Sequence, residues 1–279
     1  MKKVYVLLGC LFLILAVLCA YFLMKEDEVY DDWEDKLSSL KVPQSIESQE
    51  EVPESDEPTP EESASESIDE TISQPPESEP VMEPTLDFTP LWEINRDVCA
   101  WIEIEGTKVD YPVLMGKGEG NEYLDTAYDG SSQKAGSLFV QESYNSSDFN
   151  DPVTVIYGHA MSSGAMFGQL RTTYSDPESF GTHGDIKLYL PHEVRHYRVF
   201  AAVPFEKLHI LHNYDFSNNY WYRSFFKRIK SIRAIGANFN HDAFPEAGDR
   251  VLILSTCIND GTNRRYLVMA SYLNDLDDN

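Results

Sequence analysis

Cysteine and basic residues are scarce in this 279-residue chain, and each shortage excludes a class of protein. Four cysteines are too few for a disulfide scaffold of this size, and the C-x-x-C pattern of a metal or redox site does not occur. Only 22 Lys and Arg stand against 47 Asp and Glu, so the formal net charge is -25. Because nucleic acids are themselves polyanions, this balance predicts that nucleic acid is not a partner.

Glycine is absent from residues 26–90, which also hold nine of the 15 prolines and a net charge of -20. This segment has too little apolar surface to offset the entropy of ordering, so its composition predicts a disordered, charge-extended spacer. Residues 91–279 carry a net charge of only -8 and have the composition of one globular domain. We therefore divide the chain into an N-terminal segment (1–25), an acidic spacer (26–88) and a folded domain (89–279) that carries the function.

The longest run without charge covers residues 4–24 and is rich in Leu, Val, Phe and Ile. As a helix it is long enough to cross a bilayer, whose hydrocarbon core is roughly 30 Å thick. Lysines precede it and acidic residues follow it, which predicts an uncleaved membrane anchor with a cytoplasmic N-terminus and an extracytoplasmic domain. A cleaved signal peptide and a lipoprotein processed at Cys10 are the alternatives, and the length of the run favours the anchor.

Short apolar runs separated by Gly, Asn, Asp and Pro predict a mainly β fold, a barrel or sandwich of about eight strands. The predicted strands are residues 101–105, 109–114, 137–140, 153–157, 186–190, 197–203, 251–254 and 266–272. Helical spacing of apolar residues predicts one helix near 86–95 and another at 219–233, with Ser217 or Asn218 as its N-cap.

Three residues with catalytic chemistry lie at the ends of predicted strands. His159 follows the strand 153–157 after one Gly, and Cys257 follows the strand 251–254. Arg265 comes after a loop of seven residues, so antiparallel pairing of the last two strands would place it beside Cys257. A thiolate attacks a carbonyl, an imidazole moves the proton and a guanidinium stabilises the oxyanion, so together they suit acyl transfer. Each residue alone also fits a packing or surface role, and Cys99, in an apolar stretch, is interpreted as a buried small hydrophobe.

Separated motifs over about residues 90–273 resemble those of class B sortases. Residues 150–161 (NDPVTVIYGHAM) are similar to the histidine motif of that family, and LSTC at 254–257 with Arg265 eight residues on is similar to its cysteine and arginine motifs. The other matching runs are INRDVCAWIEIEGT at 94–107, VDYPV at 109–113, YL at 123–124 and AGSLF at 135–139. As departures, Gln141 and Glu142 replace a common Asp, and Arg264 adjoins Arg265, although Arg265 fits the pattern better.

The resemblance implies a closed eight-stranded sortase-type β-barrel with an N-terminal helix and a helix inserted before the strand of Cys257. It implies a thiol transpeptidase without cofactor or metal, in which Cys257 is the nucleophile, His159 the general acid and base, and Arg265 the residue that orients the substrate and stabilises the oxyanion. The implied substrate is a secreted protein with a C-terminal sorting signal, cleaved after Thr through a thioacyl intermediate. The implied acceptor is an amine of a peptidoglycan cross-bridge, of its lipid-linked precursor or of a pilin Lys.

Residues 192–196 read HEVRH and match the H-E-x-x-H pattern of zinc metalloproteases. That pattern binds zinc only on a helix, whereas Pro191 and the strand-like flanks predict a hairpin loop here. His209 and His212 are interpreted as exposed loop residues.

Two other functions stay open on the residues alone. A hydrolytic cysteine protease would pass the acyl group to water instead of an amine. A non-catalytic, surface-displayed binding module would leave His159, Cys257 and Arg265 without a role.

Overall fold

Eight strands close into a barrel in the computed structural model, which describes residues 12–18, 33, 35–43, 85–258 and 263–273. Nine strands are described, and all but β7 belong to the barrel: β1 Val98–Glu103, β2 Asp110–Gly116, β3 Leu138–Gln141, β4 Val153–Tyr157, β5 Asp185–Tyr189, β6 Val194–Phe205, β7 Asn238–Phe239, β8 Val251–Cys257 and β9 Arg265–Tyr272. Their hydrogen-bonded order is β5-β1-β2-β3-β4-β8-β9-β6, and β5 pairs with β6 to close the ring. The two-residue β7 adds to the free side of β6. The predicted closed, mainly β barrel of eight strands is confirmed.

The barrel is mixed, and its pairings bring particular strand ends together. β4 pairs in parallel with β8, with Tyr157 opposite Ser255, so the two strands end at the same rim of the barrel. β8 pairs antiparallel with β9, with Cys257 opposite Arg265. The last residue of β8 and the first of β9 are therefore neighbours at the rim where β4 also ends.

Within residues 85–258 and 263–273, five α-helices and two 3-10 helices lie around the barrel. They are α1 Thr89–Ile94, α2 Leu170–Ser175, α3 Pro177–Thr182, α4 Ile210–Asn213, α5 Asn219–Lys230, and the 3-10 helices Asn121–Leu124 and His241–Ala243. The two predicted helices correspond to α1 and α5, and the side chain of Asn218 caps α5 by accepting a hydrogen bond from the Tyr220 amide. α5 ends three residues before the predicted end, where the Ser231 hydroxyl donates to the Arg228 carbonyl.

Alternation along β8 decides which side chains face the barrel interior. Leu252 and Leu254 belong to the interior cluster, whereas Val251 and Ile253 pack on the outside with aromatic residues of α5. Because side chains of a strand alternate between its two faces, Cys257 shares the outer face with Val251 and Ile253. The thiol is thereby directed away from the core.

The predicted single-pass localisation in the cell membrane, with a cytoplasmic N-terminus, is wrong. Among the described helices, none has the length and apolar character needed to cross a membrane. Of the predicted span 4–24, residues 12–18 are described as a helix of seven residues. The rest of the predicted span lies outside the described residues.

Part of the predicted disordered spacer is ordered against the barrel, and here the structure differs from the prediction. Trp33 and Leu37 are only 7% and 2% exposed. Together with Leu40 they follow the spacing of one helix face, which an average over the acidic composition does not register. The spacer residues 26–32, 34 and 44–84 lie outside the described part of the chain.

The HEVRH segment does not form a helix. His192 lies in the turn between β5 and β6, and His196 lies within β6 opposite Lys187. Glu193 is bound to the buried Arg195, 2.5 Å from its guanidinium. The predicted hairpin geometry is confirmed, although β6 begins at Val194, inside the motif. Over the part of the chain that the structure describes, no cluster of His, Cys, Asp and Glu could hold a metal ion.

Candidate active site

Cys257 is an exposed free thiol at the end of β8. The facing residue of β9 is Arg265, whose Nη1 donates a hydrogen bond to the Cys257 Sγ over 3.0 Å. The seven-residue connection places the two side chains side by side, as the sequence predicted. Arg264, the alternative, is exposed and lies just before β9.

His159 lies two residues beyond β4, at the level of Cys257. The Gly158 amide donates to the Ser255 carbonyl (3.2 Å), and the Thr256 hydroxyl donates to the Gly158 carbonyl (2.8 Å), so the pairing of β4 with β8 continues past Tyr157. Continuing that register puts His159 beside Cys257 on the neighbouring strand, about 5 Å away at the backbone. The rim therefore joins Cys257 and Arg265 by a hydrogen bond, and the extended register adds His159 next to them.

The imidazole of His159 is oriented by a backbone carbonyl. Its Nε2 lies 2.6 Å from the oxygen of Leu124, at the end of the 3-10 helix Asn121–Leu124. Because a carbonyl only accepts, Nε2 carries the hydrogen and donates it. Nδ1 is then the nitrogen that can exchange a proton in the neutral ring.

The position of the Leu124 carbonyl next to His159 depends on glycine at residue 136. Gly136 has φ of +60°, and a Cβ at this position would lie 2.4 Å and 2.5 Å from the carbonyl oxygens of Tyr123 and Leu124. The next residue, Ser137, donates its amide to the Tyr123 carbonyl over 2.9 Å. The segment before β3 thus packs directly on the Tyr123 and Leu124 carbonyls, and any side chain at 136 would displace them, including the Leu124 oxygen that contacts His159.

Two polar groups that the sequence interpretation missed lie near Arg265. The Tyr157 hydroxyl and the His209 Nε2 are buried, and neither finds a hydrogen-bond partner in the described structure. The positive charge of Arg265 acts on both, although burial outweighs it at Tyr157, whose pKa is raised.

His209 lies in a loop, as predicted, but is half-buried, and the exposed His212 lies within α4. The His209 Nδ1 accepts from the His212 amide and caps α4, and the His209 ring packs 4.8 Å from that of Tyr144. Burial holds the pKa of His209 below its ordinary value. The loop residues 206–209 follow β6, and only the fold brings them over Tyr157, so sequence spacing carries no signal for this contact.

Cys99 lies in a different environment, as predicted for a buried hydrophobe. It is the second residue of β1, 9% exposed, and its Sγ lies 3.4 Å from the Val113 carbonyl, to which the thiol donates. Burial raises its pKa to about 12, and the nearby Asp97 adds to this. Such a thiol stays protonated and unreactive near neutral pH.

Chemically, the rim offers a solvent-accessible thiol held against a guanidinium, with an oriented imidazole on the next strand. These are a nucleophile, a fixed cation for a developing oxyanion, and a proton carrier. The arrangement requires neither a metal nor a cofactor to perform acyl transfer.

Comparisons with known proteins agree with this geometry. The sequence model of the Sortase domain family matches residues 102–273. Sortase B of Staphylococcus aureus is 29% identical over 191 residues, which is 67% of this chain and 74% of that protein. The solved Staphylococcus aureus sortase B-substrate complex superposes with a TM-score of 0.59 at 27% identity, covering 67% of this chain and 85% of that one. Clostridium perfringens sortase B gives a TM-score of 0.59 at 28% identity, covering 66% and 98%.

Proposed function

Since this chain belongs to the sortase family, as a class B cysteine transpeptidase, we propose that Cys257 is its nucleophile, His159 its general acid and base, and Arg265 its oxyanion donor. The observation that carries the assignment is the 3.0 Å contact between Arg265 Nη1 and Cys257 Sγ. A guanidinium at this distance stabilises the thiolate and is already placed beside the carbon that the sulfur will attack.

In the first step the Cys257 thiol gives its proton to His159 Nδ1 as the sulfur bonds to a substrate carbonyl carbon, and the carbonyl oxygen becomes an oxyanion that accepts from Arg265. The C–N bond then breaks. His159 gives its Nδ1 proton to the departing amine, which leaves a thioester on Cys257. Throughout this step the Leu124 carbonyl keeps Nε2 occupied, so one nitrogen carries the whole proton transfer.

In the second step an amine attacks the thioester carbon, and His159 Nδ1 takes the proton that this amine loses. The C–S bond breaks, and the Cys257 thiolate is released beside Arg265 and recovers that proton from His159 Nδ1. The product is a new amide, so the acyl group has moved from one amine to another without oxidation or reduction.

We infer that the acyl donor is a secreted protein with a C-terminal sorting signal, cleaved after Thr. The acceptor is an amine of a peptidoglycan cross-bridge, of its lipid-linked precursor or of a pilin Lys. Two things support this substrate class. The motifs around His159, Cys257 and Arg265 are similar to those of class B sortases, and one solved relative is a sortase B-substrate complex.

The test is thioacyl capture from a library of Thr-containing peptides, read as an added acyl mass on the intact protein. Cys257→Ala should lose capture completely, and Cys99→Ala should retain it. Added triglycine or a Lys-containing peptide should divert the acyl group into a ligated product. Acyl mass on the Cys257→Ala protein would refute the nucleophile assignment, and hydrolysis alone at saturating amine would favour the protease alternative.

A further inference from the structure

Trp33 and residues 35–43, which we call the N-terminal clip, are held against the barrel by two buried apolar side chains. The ring of Trp33 stacks on that of Tyr111 at 6.2 Å and lies 5.4 Å from that of Tyr128. Leu37 is 2% exposed, whereas Lys36 points to solvent. The clip thus presents one face to the barrel. It precedes the stretch that the Sortase domain model matches, which begins at residue 102.

Lys41 fastens the clip to the ends of β1 and β2. Its Nζ lies 2.6 Å from the Glu103 carboxylate and 2.8 Å from that of Asp110. The Lys41 side chain is only 22% exposed, and its Nζ lies 5.6 Å from the centre of the Tyr189 ring. Burial by itself would lower the pKa of Lys41, but the bonds to the two carboxylates outweigh it and raise that pKa. Two carboxylates around one partly buried ammonium form a specific binding site for the Lys41 side chain.

The backbone of the clip is also tied to the domain. The Asp87 amide donates to the Val42 carbonyl over 2.8 Å, and Pro43 forms an antiparallel bridge with Leu86. The residues just before α1 therefore pair with the end of the clip.

Trp33 contacts Tyr128, in the loop that follows Leu124, the residue whose carbonyl accepts from His159. Its partner Tyr128 is 2% exposed and lies four residues after Leu124, whose carbonyl accepts from His159. The chain between them is tightly bonded, because the Gln133 amide donates to the Asp125 carbonyl and the Ser137 hydroxyl donates to the Thr126 carbonyl, both over 2.9 Å. A displacement of Tyr128 would therefore act on Leu124 through a short, hydrogen-bonded stretch.

We propose that the N-terminal clip is a positioning element of the active site. By fixing Tyr128 it holds the Leu124 carbonyl against His159 Nε2, and so keeps Nδ1 as the proton-carrying nitrogen and aims it at the rim. Trp33 and Lys41 are then positioning residues that act through Tyr128 and Leu124. The proposal rests on the proposed role of His159, and it extends the functional unit to a segment that composition assigns to the spacer.

The experiment compares full-length Trp33→Ala, Lys41→Met and Lys36→Met, the last as a matched exposed-lysine control. The first readout is the ¹⁵N spectrum of the His159 ring, assigned with a His159→Gln variant and recorded on the Cys257→Ala background. The wild-type clip should give a single neutral tautomer with hydrogen on Nε2. Trp33→Ala and Lys41→Met should give a mixture of the two tautomers. Lys41→Arg keeps the positive charge and should retain mostly the Nε2-protonated tautomer.

The second readout is transpeptidation by the variants with Cys257 intact. Trp33→Ala and Lys41→Met should lower kcat by about tenfold with KM within about twofold, because a misaimed catalytic group loses rate more than binding. Lys36→Met should match wild type. If the variants melt earlier but keep the wild-type His159 tautomer and kcat, the clip only stabilises the fold and the proposal is overturned.

The two proposals can fail separately. The ¹⁵N readout requires no turnover, so it decides the role of the clip even if no peptide is transferred. If Trp33→Ala does not fold, Lys41→Met, which changes a partly exposed side chain, gives the same decision. An unchanged His159 spectrum in Lys41→Met contradicts the clip proposal whatever the activity.

Discussion

Cys99 and Cys257 both lie in strands of one barrel, yet their surroundings give them opposite chemistry. Cys99 is enclosed near the start of β1, donates to a carbonyl, and has its pKa raised to about 12 by burial. Cys257 is exposed at the end of β8 and accepts from a guanidinium. The comparison teaches that position along the strand and the facing residue, rather than the residue type, make one thiol a packing group and the other a candidate nucleophile.

Removing the guanidinium is the strongest way to break this contrast. Arg265→Ala should lower kcat/KM for transpeptidation by about 10²- to 10³-fold, the usual cost of losing one oxyanion donor. Arg264→Ala, one residue earlier and outside β9, should stay within about twofold of wild type. Arg265→Lys should fall between them, because it keeps the charge and loses the planar donor pair. Steady-state kinetics on one peptide and one amine measure all three.

The same variants decide between the paired arginines. A larger loss in Arg264→Ala than in Arg265→Ala would assign the oxyanion donor to Arg264 and contradict the 3.0 Å contact as the relevant one.

Alkylation should show the contrast between the thiols directly. With iodoacetamide at pH 8, Cys257 should react at least about 100-fold faster than Cys99, since a thiol of pKa about 12 is roughly one part in 10⁴ thiolate at that pH. Peptide mass spectrometry of timed samples gives both rates. Raising the pH should speed Cys99 until the solution approaches its pKa, and unfolding in urea should remove the difference.

Comparable rates for the two thiols in the folded protein would contradict the burial of Cys99. Slow reaction of Cys257 in the wild type, together with fast reaction in Arg265→Ala, would show that the guanidinium shields the sulfur instead of stabilising a thiolate.

The strand pair that carries Cys257 and Arg265 was predictable because its determinants are local. Two apolar runs joined by seven residues force antiparallel pairing, and the register follows from the loop length. The eight-strand count and both main helices follow from the same kind of local pattern. The environment of Cys99 was equally readable, as an apolar stretch within a strand.

The features that sequence reasoning missed depend on contacts distant in the chain. The hydrogen-bond acceptor for His159 is a backbone carbonyl 35 residues away, and every residue type has one. The burial of His209 arises where the chain after β6 crosses β4. The order of the clip was missed because the prediction used the mean composition of the acidic segment, although Trp33, Leu37 and Leu40 have helical spacing. The membrane prediction used the length and the flanking charges of one apolar run, and among the described helices none is long and apolar enough to cross a membrane.

The smallest expected effect separates packing from catalysis. Cys99→Ala removes one buried sulfur and should lower the free energy of unfolding by about 1 kcal/mol, or Tm by about 2–4 °C, with kcat/KM unchanged. Cys257→Ala removes an exposed sulfur and should change the free energy of unfolding by less than about 0.5 kcal/mol while it abolishes transfer. Thermal melts should therefore show a loss of stability for Cys99→Ala only, and kinetics should show a loss of activity for Cys257→Ala only. A Cys99→Ala protein that keeps its Tm but loses activity would overturn the comparison, because it would place the buried thiol in the reaction.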